Sequence, residues 1–103
     1  MIQISTYVHD DRARLDITGR FDFNGRKAIR EAYDPLLDDK GVRSIEIGLD
    51  KVEYIDSSAL GILLLLRDRA AEAGKKIVLC RATGTVQKVL AVANFERLFE
   101  IRS

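Results

Sequence analysis

Apolar and polar residues alternate twice near the start of the chain, through Ile2, Ile4 and Tyr7-Val8, then through Arg14-Leu15-Asp16-Ile17-Thr18, around the charged turn His9-Asp10-Asp11-Arg12. A period of two is that of a half-buried strand, so the pattern predicts an antiparallel hairpin whose second strand Gly19 closes. Asp22 or Asn24 can then cap a helix through Ala28, Ile29, Ala32 and Tyr33, which Pro35 ends or bends, with Leu36 and Leu37 finishing its apolar face. After the turn formers Asp38-Asp39-Lys40-Gly41, the segment Ser44-Ile45-Glu46-Ile47-Gly48-Leu49 alternates again and reads as a strand. A second helix is expected from about Ser58 to Ala73, stopped by Gly74, and it feeds the nearly all-apolar Lys76-Ile77-Val78-Leu79-Cys80, expected as a central strand. A third helix begins near Thr85, with Val86, Val89, Leu90 and Ala93 on one face, and precedes a short last strand, Leu98-Phe99-Glu100-Ile101. The order β-β-α-β-α-β-α-β predicts an α/β domain: a mixed sheet with helices packed on it.

One element fails a simple geometric test. At about 100° per residue, Leu63, Leu64, Leu65 and Leu66 spread over roughly 300° of the second helix and cannot all face one sheet. Some must pack on neighbouring helices or stay exposed, and an exposed apolar strip is what a protein-binding surface requires.

Composition narrows the class of function. With 103 residues, 47% of them hydrophobic and 32% charged, one compact core without metal or disulfide staples accounts for residues 1–103 as a single domain. The 17 Lys and Arg against 16 Asp and Glu give a net charge of +1, scattered instead of clustered, which argues against a nucleic-acid partner. The lone Cys80 sits in an apolar run, where a buried thiol is the default, and no internal disulfide can form. One Cys and one His give no metal-ligand cluster, and Gly84 alone makes no phosphate loop, so no metal or cofactor is expected. Met1-Ile2-Gln3-Ile4-Ser5 lacks the features of a secretory signal, and the longest apolar stretch, Ala59 to Leu66, falls far short of the roughly 20 residues of a membrane span. The expectation is a cytoplasmic protein without membrane insertion.

The chemistry concentrates in Val52-Glu53-Tyr54-Ile55-Asp56-Ser57-Ser58-Ala59-Leu60-Gly61, where a strand or loop ends at a polar corner and a helix begins. A helix start leaves four N–H groups unpaired and carries partial positive charge, so side-chain oxygens cap it and an anion is stabilised there. Ser57 is therefore a candidate phosphoacceptor; the plain alternative is that Asp56 and Ser57 only cap a core helix. A hydrolase reading is disfavoured. No Gly precedes the serine as a nucleophile elbow requires, and the one histidine, His9, lies in the first turn instead of late in the chain.

The block Tyr54-Ile55-Asp56-Ser57-Ser58-Ala59-Leu60-Gly61 resembles the signature of the STAS family, the bacterial anti-sigma factor antagonists, whose Asp-Ser-Ser-Gly-Leu-Gly type sequence carries a regulatory serine. Ile17-Thr18-Gly19-Arg20-Phe21-Asp22 resembles the family's early Leu-Thr-Gly-Glu-Leu-Asp segment, and Asn94-Phe95-Glu96-Arg97-Leu98-Phe99-Glu100-Ile101 its closing helix-to-strand segment. The resemblance implies phosphorylation at Ser57 and partner contacts at Asp22, Asp56, Ser58 and Leu60. It also implies an anti-sigma factor or serine kinase as partner, with a cognate phosphatase. Two residues depart from the pattern. Ala59 replaces the usual Gly and is expected to add a methyl where a partner's backbone approaches, while Arg20 replaces an acidic residue and puts a cation near the corner, able to bind phosphoserine if it reaches. Family members attached to transporters and sensory complexes leave a second expectation open, a non-switching subunit.

Overall fold

The computed structural model describes residues 2–103. Strands β1 (Gln3–His9) and β2 (Arg12–Phe21) form the expected hairpin. Asp10 at its turn has φ of 55°, a left-handed conformation that Asp tolerates better than most side chains. Gly19 does not close β2. Its φ of 98° places it beside a register shift between β2 and the next strand, so the glycine serves a bulge and the strand runs on to Phe21.

A short 3-10 turn, Phe23–Gly25, leads into helix α1 (Arg26–Asp38). Pro35 lies inside α1 and does not end it. Proline within a helix costs about 3 kcal/mol, but Leu36 and Leu37 beyond it are both buried, each contributing roughly 1.5–3 kcal/mol. Burial wins, and the helix continues.

Strand β3 (Ser44–Ile55) is followed by helix α2 (Ser57–Glu72), strand β4 (Lys76–Cys80), helix α3 (Gly84–Val92), a 3-10 turn at Phe95–Arg97 and strand β5 (Glu100–Arg102). The five strands lie side by side in chain order, β1 antiparallel to β2 and the others parallel. The central strand is therefore β3, not β4 as its all-apolar sequence suggested. β4 reads as apolar because Ile77 and Leu79 join the main core while Val78 and Cys80, on the opposite face, are also buried.

The core gathers Leu15, Ile17, Ile45, Ile47, Leu49 and Leu79 from the sheet against Ile29 and Tyr33 of α1 and Leu63 and Leu66 of α2. On the sheet's other face charged side chains form the cover: Arg81 spans Asp16 (3.1 Å) and Asp50 (3.3 Å), and Arg102 reaches Glu46 (3.6 Å). Gly48 makes room for this layer, since a Cβ there would collide with Arg81 Nη2 and Asp16 Oδ1. Burial raises the pKa of the Cys80 thiol above its ordinary value. No helix of the described residues is long and apolar enough to cross a membrane.

Candidate functional site

Strand β3 is long enough to pass the end of β4 and reach the end of β2, so that Phe21 and Ile55 are paired neighbours. Asp22 and Asp56 consequently leave the sheet side by side, both with extended backbone, φ of −131° and −118°. Each then starts a helical turn by the same device. Asp22 Oδ1 accepts a hydrogen bond from the Asn24 N–H at 3.0 Å, and Asp56 Oδ1 accepts one from the Ala59 N–H at 2.9 Å. Of the two caps expected for the first helix, Asp22 is the one used, and it caps the short turn ahead of α1.

The corner residues divide their labour. Asp56 is the N-cap of α2, and its backbone carbonyl also accepts from the Leu60 N–H at 3.2 Å. Ser57, the first residue of the helix, is exposed; Ser58 and Leu60 are half-buried. The capping duty thus falls to Asp56, while an α-helix start leaves the N–H groups of Ser57 and Ser58 without an intrahelical acceptor. Ala59 is fully buried and part of the core. Its methyl faces the interior, which corrects the expectation that it would meet a partner's backbone.

Arg20 lies across the neighbouring strand pair. Its guanidinium sits 4.2 Å from the centroid of the Tyr54 ring, and its Nε is 3.8 Å from Asp22 Oδ2. The cation is held by an aromatic face and a carboxylate of the same corner, a geometry worth about 0.5–1 kcal/mol at an exposed site. Among the described residues no cluster of three or more potential metal ligands occurs.

A family model described as "Mlab, STAS domain" matches residues 4–101, nearly the whole of this fold and the entire corner. The chain belongs to the STAS family. A STAS-domain containing protein of Pseudomonas aeruginosa strain UCBPP-PA14 is 42% identical over 87 residues, 84% of this chain and 84% of the relative. The anti-sigma factor antagonist SpoIIAA in its unphosphorylated form shares the fold at 16% identity and a TM-score of 0.73, over 100% of this chain and 87% of that one. Phosphorylated SpoIIAA of Bacillus gives a TM-score of 0.72 at 16% identity, over 100% and 92%. A sulfate transporter family protein of Wolinella succinogenes matches at 15% identity and a TM-score of 0.77, over 93% and 80%. At such identities the structural likeness is one of fold.

The STAS domain has a feature beside the corner that hydrophobic patterning does not disclose. A groove of about 530 Å³ runs between α1 and α2, lined by Phe23, Arg26, Arg30, Ser58, Ile62 and Leu65 among others. Of the four consecutive leucines, Leu63 and Leu66 are buried, Leu64 is half-buried, and Leu65 is 54% exposed along this groove. Phe23 is equally exposed at its end. The leucine run signalled an exposed strip; Phe23, Arg26 and Arg30 escaped notice because they join it only through the packing of α1 on α2.

Proposed function

We propose that this STAS domain is a phosphorylation-switched regulatory binding protein of the anti-sigma factor antagonist type, holding an anti-sigma factor or a kinase or phosphatase regulator while Ser57 is free and releasing it once Ser57 is phosphorylated. The observation that supports this most directly is the division of labour at the corner. Asp56 makes the cap, so the exposed Ser57 hydroxyl is not needed to start α2 and is accessible to a kinase. Asp22, Asp56, Ser58 and Leu60 surround it and serve as the partner contacts. The domain acts by binding, without catalysis or cofactor, and in the cytoplasm.

The physics of release is electrostatic. A phosphate adds about −1.5 to −2 charges at pH 7. The start of α2 favours it by roughly 0.3–1 kcal/mol, so the domain itself tolerates the change. Against an acidic partner group about 4 Å away, each charge pair costs on the order of 4 kcal/mol at an effective dielectric near 20. A third of that weakens binding about tenfold.

Affinity capture from the source cells with wild-type, Ser57→Ala and Ser57→Asp baits tests the reading. The Ala protein should retain a regulator that the Asp protein loses, and kinase labelling should place the phosphate on Ser57 and not Ser58. Equal capture of one membrane or sensory complex by all three baits would instead favour a non-switching subunit, the reading that the fold shared with a sulfate transporter family protein supports.

A further inference from the structure

We infer that the groove between α1 and α2 is the seat of an acidic amphipathic segment of the partner, read by the cations of α1 and the open apolar strip of α2. The inference rests on the switch reading of Ser57, for which it names the chemistry of the partner. Three observations on the charges, the apolar wall and the glycine of this groove lead to it.

Two of the groove's cations stand where the helix's own field disfavours them. Arg26 and Lys27 open α1, whose first turn holds no acidic residue and whose N-cap, Gly25, offers no side-chain hydrogen bond. A helix start carries partial positive charge, so basic residues there are disfavoured by the helix's own field. Lys27 has Glu31 at 3.9 Å, but among the described residues neither Arg26 nor Arg30 has a carboxylate within ion-pair distance. Arg26 instead donates to the Phe23 carbonyl oxygen at 3.1 Å and lies 3.8 Å from the centroid of the Phe23 ring. No acidic side chain lines the groove. With no carboxylate on the groove's walls, these cations are left to meet negative charge brought by a partner.

The opposite wall is apolar and ordered along one line. On α2, Ser58, Ile62 and Leu65 recur at helical spacing toward α1. Leu65, 54% exposed, stands along it as an unfilled apolar contact, while Phe23, equally exposed at the groove's end, carries the Arg26 guanidinium against its ring. A segment with leucine-like residues at i, i+3 and i+4 and carboxylates beside them would satisfy both walls at once.

Gly61 supplies the room. It lies within α2, one turn after Ser58, where glycine weakens a helix and an alanine would strengthen it. Nothing lies within 4 Å of where its Cβ would be, and its conformation is ordinarily helical. The glycine is therefore not required by the domain's own packing. A bare backbone at this point lets another chain approach closely. Ser57 does not line the groove but precedes the lining residue Ser58 at the same end of α2, so a phosphate on it would add negative charge close to that end and repel incoming carboxylates.

The test uses purified full-length protein and two fluorescein-labelled helical peptides of equal length, one with leucines flanked by glutamates and one with the glutamates replaced by lysines. Fluorescence anisotropy should show the glutamate peptide binding at least tenfold more tightly than the lysine peptide. The double change Arg26→Glu with Arg30→Glu should reverse that preference. Gly61→Trp, which fills the groove and keeps its helix, should weaken binding at least tenfold while circular dichroism shows a folded domain. Binding of neither peptide, equal binding of both, or indifference to Gly61→Trp would overturn the proposal. So would equally tight binding of an anionic phosphatidylglycerol vesicle or a single-stranded oligonucleotide, since charge alone would then explain the cations. Ser57→Asp separates the two readings. Loss of peptide binding in the groove variants with no effect of Ser57→Asp on peptide or captured regulator keeps the groove and removes the switch; an Ala-against-Asp difference in regulator capture that the groove variants leave untouched keeps the switch and removes the groove.

Discussion

At the scale of single residues, Asp56 carries two roles that substitution can separate. Its carboxylate oxygen caps α2 through the Ala59 N–H at 2.9 Å, and its charge adjoins Ser57, the proposed phosphoacceptor, in the chain. Asp56→Ala should lower stability by about 1 kcal/mol in urea unfolding, the usual cost of a lost N-cap, whereas Asp56→Asn should lose only a few tenths because it keeps an accepting oxygen. If both lose the same amount, the charge and not the cap holds the corner. A second residue links pH to the sheet's last pair. Glu100 accepts hydrogen bonds from Lys76 and from Arg102, and these hold its carboxyl below the ordinary carboxylate range, Lys76 foremost. A carboxyl with a depressed folded pKa stabilises the native state above its unfolded value, near 4.3, and that contribution disappears as pH falls through the lower folded value. Lys76→Gln should therefore move the Glu100 midpoint upward in a carboxyl carbon NMR titration; an unmoved midpoint would assign the depression to Arg102. The pair is exposed, so the effect belongs to the titration more than to the melting temperature.

Among the elements, α2 shows both the reach and the limit of reading structure from pattern. Leu63 and Leu66 are each about 1% exposed and Leu65 is 54% exposed, although the three are chemically identical and nearly adjacent. Leu63→Ala and Leu66→Ala should each cost about 2–5 kcal/mol in urea unfolding, and Leu65→Ala should stay within about 0.5 kcal/mol. Comparable losses at all three would mean that Leu65 is covered in solution. Helical geometry alone required that these leucines not all face the sheet, leaving some to pack on neighbouring helices or stay exposed. Which of them stayed exposed depended on where α1 lies, and that is a tertiary fact. The same division holds elsewhere. Period-two alternation located β2 and the first half of β3, and Asp56 and Gly74 bracketed α2, because caps and strand periods are local chemistry. The continuation of α1 through Pro35, the bulge at Gly19 and the central place of β3 were not legible, since each is decided by contacts between distant segments. At the site, Ser57, Ser58, Asp56 and Asp22 could be named from motif and capping chemistry. Phe23, Arg26 and Arg30 could not, though the missing acidic residue in the first turn of α1 was a signal available in the sequence.

The proposed switch sets a condition on the whole molecule that none of its parts reveals alone: the modification must change binding and spare the fold. Asp56 caps α2, Ala59 anchors its first turn in the core, and Ser57 contributes to neither task. Ser57→Asp should accordingly shift unfolding free energy by no more than about 0.5 kcal/mol, the range of surface substitutions, while weakening regulator binding tenfold or more relative to Ser57→Ala. Salt then identifies the force. The Debye length shrinks from about 10 Å at 0.1 M to about 3 Å at 1 M, so a penalty made of charge repulsion across a solvated groove should largely collapse in calorimetric titrations at high salt, bringing the Ala and Asp proteins together. A penalty made of forcing a charge against Leu60 and its apolar surroundings would persist, because screening does not restore lost hydration. An Ala-to-Asp ratio that stays tenfold at 1 M salt would therefore locate the switch in desolvation at the corner and not in repulsion at the groove, and the partner's surface opposite Ser57 would have to be apolar instead of acidic.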